Sequence, residues 1–198
     1  VTAKATTASI NFKYWINIPI LMDQKNHVLK ISVTAILVVI ALVTNYSLIW
    51  LPQVKLMDAI MFLIAYYFGW RYGTIAVLVT RFIYGIINPY GFEIFSLFMV
   101  ISGELAFVAL AQIFRKIIPP TRLLYEKASI TLLAFFVVLA TFIFDIYTNA
   151  LVGALWYRSI MLGIVVGVPF ALMHEIANLI IAPIIVPLCI YLFTRMGL

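Results

Sequence analysis

The residues able to do chemistry in this chain are few, and most of them interrupt long apolar stretches. Asp145 and Asn149 are four residues apart in Asp145-Ile146-Tyr147-Thr148-Asn149. In a helix that spacing puts a carboxylate and an amide one turn apart on the same face. Asp58 and Glu93 stand near the starts of two other apolar segments. Tyr46, Trp50, Asn88, Tyr90, Trp156 and Tyr157 cluster around the loops nearest to them. Carboxylates, amides and aromatic rings in that combination suit the capture of a flat, hydrogen-bonding small molecule. Interfacial belts also collect Trp and Tyr, so any single ring has a simpler reading at a membrane surface. The pocket expectation therefore rests on Asp58, Glu93, Asp145 and Asn149, with the rings as its walls.

Two further sets stand out. Arg81 and Glu104 lie deep in consecutive apolar segments. At about 1.5 Å per residue, Arg81 is about 12 Å from one turn and Glu104 about 16 Å from the opposite one. Those depths coincide, and a buried charge in hydrocarbon needs a partner. A structural ion pair is expected. His174, Glu175 and Asn178 form the other set, with His174 and Asn178 on one helical face. Metal sites use such spacing, but no HExxH motif or second acidic helix accompanies it. A histidine hydrogen-bonded across helices is the simpler expectation, and no metal, cofactor or catalytic residue is assigned.

The elements that must position these groups are membrane spans. Hydrophobic residues make up 66% of the 198 and charged residues 10%, with a mean hydropathy of +1.16. A span needs roughly 20 apolar residues. The pattern predicts an all-α protein, a compact bundle of six transmembrane helices near 31–50, 56–70, 73–88, 92–117, 128–154 and 158–194. Residues 1–29 form an N-terminal cytoplasmic or interfacial segment and 30–198 the six-helix domain. The first thirty residues lack a long apolar core and a small-residue cleavage site, so no signal peptide is expected. Tyr14 to Met22 should lie along the membrane surface. The second and third spans are short, and Pro169, Pro183 and Pro187 should bend or break the last. Gly163-Ile-Val-Val-Gly167 and Ala150-Leu-Val-Gly-Ala154 offer the small residues that let helices approach in lipid.

Charge sets the orientation. Lys4, Lys13, Lys25, Lys30, Arg71, Arg115, Lys116, Arg122, Lys127 and Arg195 fall on one side of a six-span chain, and only Lys55 and Arg158 on the other. By the positive-inside rule both termini are cytoplasmic. The net charge of +6 is thus spent at a membrane surface, facing anionic lipid headgroups, and not on nucleic acid. Cys189 is the single cysteine, which excludes an intrachain disulfide; it reads as a small packing residue.

Several stretches are similar to a known family. Leu56-Met57-Asp58-Ala59-Ile60-Met61-Phe62-Leu63-Ile64-Ala65, followed by Phe68-Gly69-Trp70-Arg71-Tyr72-Gly73 and the turn Asn88-Pro89-Tyr90-Gly91, resembles the second and third helices of substrate-binding S components of energy-coupling-factor (ECF) vitamin transporters. The stretch from Val168-Pro169-Phe170 through His174-Glu175-Ile176-Ala177-Asn178 to Ile185-Val186-Pro187 resembles their last helix. The likeness covers about residues 30–190. It implies a prokaryotic plasma-membrane protein that does no chemistry. Such a protein captures a vitamin-like molecule from outside and hands it to a transmembrane coupling protein and two ATPases. It also implies that the loop near 46–55 covers the pocket, and that small residues on the first helix dock on the coupling protein. Ser32, Ala35 and Ala41 are the candidates, although no strict Ala-x-x-x-Ala is present. The chain has no Walker motif.

A second reading is an intramembrane enzyme. Phe170-x-x-x-His174 and His174-x-x-x-Asn178 resemble two motifs of CAAX-type proteases, but the paired glutamates of that family are missing. The acidic, aromatic outer lining favours a neutral or cationic heterocycle as ligand.

Overall fold

The computed structural model describes the backbone of residues 6–87 and 91–198, and side chains from residue 27 onward except 88–90. Asn88 and Tyr90 therefore lie outside the described residues. Seven helices are formed there and no strand: α1 (Thr6–Ser47), α2 (Met57–Phe68), α3 (Trp70–Ile86), α4 (Ile94–Ile117), the single turn α5 (Pro120–Leu123), α6 (Lys127–Leu155) and α7 (Ile160–Arg195). A chain this apolar has to satisfy its backbone polar groups internally, and helices do so within each segment. Four helices are long and apolar enough to cross a membrane: residues His27–Ser47 of α1, then α4, α6 and α7.

Being apolar on all sides, these helices are not oriented by a hydrophobic face. Small and polar residues mark the inner stripe instead. In α7 the buried positions are Gly163, Gly167, His174, Ala177, Asn178, Ala182, Val186, Ile190 and Phe193. Apart from the adjacent Ala177 and Asn178 they recur at steps of three, four and seven, and Leu172, Ile176, Leu179, Ile180, Ile184 and Leu188 between them face outward. The closest helix pair is α6 and α7. A Cβ on Gly163 would collide with the backbone of Gly153 and Asn149, and one on Gly167 with the Asn149 side chain. The glycines of the Gly163–Gly167 pair are thus what lets α7 lie against α6 and fixes where Asn149 points.

Helix α2 is the centre of the bundle. Ten of its twelve residues, Met57 to Tyr66, are buried, and α1, α3, α4, α6 and α7 all pack on it. At about 1.5 Å per residue it is roughly 18 Å long, well under the roughly 30 Å of a hydrocarbon core. The span expected at 56–70 is therefore a short core helix. Its C-terminal end is secured by polar contacts. The Gln112 amide donates to the Ala65 carbonyl at 2.5 Å, and the Tyr66 hydroxyl donates to the Ile118 carbonyl at 2.9 Å. Tyr66, Phe62 and Phe114 form an aromatic layer there, with centroids 5.0 Å apart between Tyr66 and Phe114. Gly69, at φ 103°, turns the chain directly into α3.

The break expected in the last span is not seen: helix α7 runs unbroken through Pro169, Pro183 and Pro187, because the neighbouring helices hold it where a free helix would break. Helix α1 continues from Thr6 through the whole Tyr14–Met22 stretch and past the boundary set at residues 29 and 30.

Candidate functional site

The polar residues of five helices meet in one buried cluster. Arg81 (α3) forms an ion pair with Glu104 (α4), and its guanidinium also reaches Asp58 (α2) at 3.3 Å. The other Asp58 oxygen is 2.6 Å from His174 Nε2 on α7. His174 Nδ1 is 3.1 Å from both carboxylate oxygens of Asp145 on α6. The Asn178 amide donates to Thr141 Oγ1 at 2.9 Å and to Asp58 at 3.4 Å, and Thr141 donates to the Val137 carbonyl at 2.9 Å. Asp58, Glu104, Thr141, His174 and Asn178 are fully buried. Phe144 closes one side, under the Arg81 guanidinium at 5.5 Å and edge-on to His174.

This cluster is an acceptor-rich chain held by shared hydrogens. An ionised carboxylate only accepts, and both ring nitrogens of His174 face carboxylates. The contacts are satisfied when the ring carries a hydrogen on each nitrogen, or when one carboxyl keeps its own. In either case the cluster holds one proton more than a neutral imidazole between two carboxylates would. Among the described residues the side-chain hydrogen-bond partners of His174 are Asp145 and Asp58. Its role here is to join α2, α6 and α7.

A cavity of about 420 Å³ opens above this cluster, within the range of small-molecule sites. Three connections build it: Gln53 and Lys55 from the α1–α2 loop, Gly91 and Glu93 from the α3–α4 connection, and Asn149 and Val152 near the α6–α7 turn. Arg81 and Asp145 form its floor, and Tyr84, Phe144 and Phe170 supply aromatic walls. A smaller cavity of about 220 Å³ lies beside it under the α1–α2 loop and shares Gln53, Lys55, Tyr84 and Phe170. Glu93 caps α4: its carboxylate accepts from the Phe95 and Ser96 N–H groups at 2.9 and 2.5 Å. Hydrogen bonding from Ser96 and Phe95 holds that carboxyl below the usual carboxylate range.

The structure divides the sequence-derived candidates. Glu93, Asp145 and Asn149 line the cavity. Asp58 does not: it is wholly buried in the cluster beneath, because α2 is the central helix and its first turn faces inward. Tyr46 is half-buried against Tyr84, with ring centroids 5.3 Å apart, and its hydroxyl has no partner. Trp50 and Trp156 are exposed and line neither cavity; the Trp50 indole donates to the Ser47 carbonyl at 3.1 Å. Of the docking candidates, Ser32 and Ala35 are exposed, but Ala41 is fully buried in the core and cannot present a docking face. Glu175 lies at the α6–α7 groove beside Asp145 and Asn149.

The lining also contains residues that sequence reasoning did not assign to the pocket. Lys55 reads only as an outer basic residue, Phe170 enters only through the motif likenesses of the last segment, and Tyr84 and Phe144 carry no sequence signal. The one available signal was the Gln53-x-Lys55 pair in the loop covering the second apolar segment.

No family model matches the chain, and neither a curated protein nor a solved structure does.

Proposed function

We propose that this protein is a substrate-capture subunit, of the S-component kind, for an ECF-type importer. On this reading it spans a prokaryotic plasma membrane six times, with both termini cytoplasmic. It takes a vitamin-like small molecule from the outer face. A transmembrane coupling protein and two ATPases supply the energy.

The observation that carries the reading is the cavity. Its three bounding connections hold only Lys55 and Arg158 as basic residues, whereas the opposite end of the bundle has Arg71, Arg115, Lys116, Arg122, Lys127 and Arg195. By the positive-inside rule the cavity mouth faces outward. Its mixed lining of amides, carboxylates and rings suits binding, and the charged floor is tied up in internal contacts. The residue likeness along 30–190 points to the same role. Helix α2, too short to span by itself, is compatible with six passes when α1, α3, α4, α6 and α7 shield its ends from lipid.

Thiol labelling tests the orientation. In a Cys189→Ala background, Ser96→Cys should react with a membrane-impermeant maleimide added to intact cells, because Ser96 lines the cavity. Lys127→Cys, exposed at the start of α6, should react only after permeabilisation. The reverse pattern would place the mouth in the cytoplasm and overturn the capture role.

A further inference from the structure

We propose that Lys55 binds an anionic group of the ligand, a carboxylate or a phosphate, at the mouth of the 420 Å³ cavity. The inference rests on the reading of that cavity as the ligand site, and it narrows the substrate class to acids. The lining as read from sequence favoured a neutral or cationic molecule, because it contained only acids, amides and rings. The folded chain adds the Lys55 ammonium to it.

Four observations converge on Lys55. It lines both cavities, so its side chain stands at their junction. No carboxylate lies within salt-bridge distance of it among the described residues, whereas Arg81 holds two. A partly buried ammonium without a counter-ion, in a chain of this hydropathy, is matched by an anion brought to it. Gln53, two residues before it, sits at φ 61°, a left-handed conformation that a non-glycine residue adopts only where the surroundings hold it. The loop is thereby held in the shape that turns Gln53 and Lys55 into the cavity. Lys55 lies outside the helices, and burial pulls its ammonium below the usual lysine range, against the opposing pull of Asp58. A bound anion would restore it.

At the other end of the cavity, Asn149 and Asp145 accept hydrogen bonds, and Phe144 and Phe170 take a ring. The ligand class is therefore a ring-bearing acid with donors on the side away from its anionic group. An anion of the same chemistry also exists in lipid phosphate, and the test separates the two sources.

Thermal unfolding of the purified protein is measured with nicotinate and indole-3-acetate, with their matching amides, with inorganic phosphate, and with phosphatidylglycerol added to the detergent. The acids should stabilise wild-type protein and the Lys55→Arg variant at concentrations at least tenfold below their amides. Lys55→Met should abolish that preference while eluting as folded protein. Loss of a charge-assisted hydrogen bond corresponds to about a ten- to hundredfold change in affinity. Stabilisation by phosphatidylglycerol alone, lost in Lys55→Met, would support the anion site but assign it to lipid, which contradicts capture of a soluble substrate. Equal response to acids and amides, no response to any anion, or an acid preference that survives Lys55→Met would overturn the proposal. So would failure of both Lys55→Met and Lys55→Gln to fold, since Lys55 would then be a counter-ion of the buried cluster. Outward labelling of Ser96→Cys would stand through any of these failures, so the two readings fall separately.

Discussion

Replacing Arg81 with Met lowers the melting temperature more than replacing Glu104 with Leu, and combining the two recovers most of the loss. The order follows from the partners each group keeps. Glu104 is fully buried and, among the described residues, has Arg81 as its only side-chain partner and none at Oε1. Arg81→Met leaves that carboxyl stranded. Arg81, in contrast, retains Asp58 at 3.3 Å when Glu104 is removed. Breaking a buried pair so that one charge is stranded costs about 3–5 kcal/mol. At roughly 2–4 °C per kcal/mol for a chain of this size, Arg81→Met should lose about 10 °C, and Glu104→Leu clearly less. In the double variant both members are apolar, while Asp58 keeps His174 and Asn178. A full cycle of unfolding scans measures the interaction energy. Additive losses would contradict the pairing.

Removal of His174 is the other large effect. His174→Ala takes away the only side-chain partner of the Asp145 carboxylate among the described residues and the shortest contact of Asp58, and leaves two carboxylates facing a void at the junction of α2, α6 and α7. The expected cost is again about 3–5 kcal/mol. Asp145→Asn keeps the shape and an acceptor oxygen, and should cost about 1–3 kcal/mol. If His174 were instead a catalytic group on a tolerant scaffold, His174→Ala would leave the melting temperature near the wild-type value. Unfolding scans of the two variants side by side distinguish these cases.

The two effects also show what was legible in the sequence. The depth estimate placed Arg81 and Glu104 level with one another, because helical rise is fixed and the chain between them is short. The four-residue spacing placed Asp145 with Asn149 on one face, and both face the cavity. Nothing local specified that α2 would be the core. Its Asp58 looked like an outer pocket residue one turn into a span. Only the convergence of five helices on α2 shows that it faces His174 instead. The partnership of His174 with Asp145 was hidden for the same reason: periodicity tells which residues share a face, and not which helix that face meets. Uniformly apolar helices give a weak amphipathic signal, so the start expected for the first span, at 31, missed the beginning of α1 at Thr6, whereas the last span, expected at 158–194, matches α7 to within two residues. The loop residues Gln53 and Lys55 were hardest to see, since a left-handed backbone at a glutamine has no sequence signature.

The central claim is that the cavity holds a small molecule, and native mass spectrometry of the protein purified in mild detergent tests it most directly. The wild-type chain should carry one small organic molecule per protein, released by activation and absent from lipid standards. Asn149→Ala, which removes the lining amide while sparing the ion cluster, should reduce its occupancy about tenfold or more with little change in melting temperature. A wild-type spectrum showing only the bare chain and phospholipid adducts, or an adduct retained in full by Asn149→Ala, would contradict it.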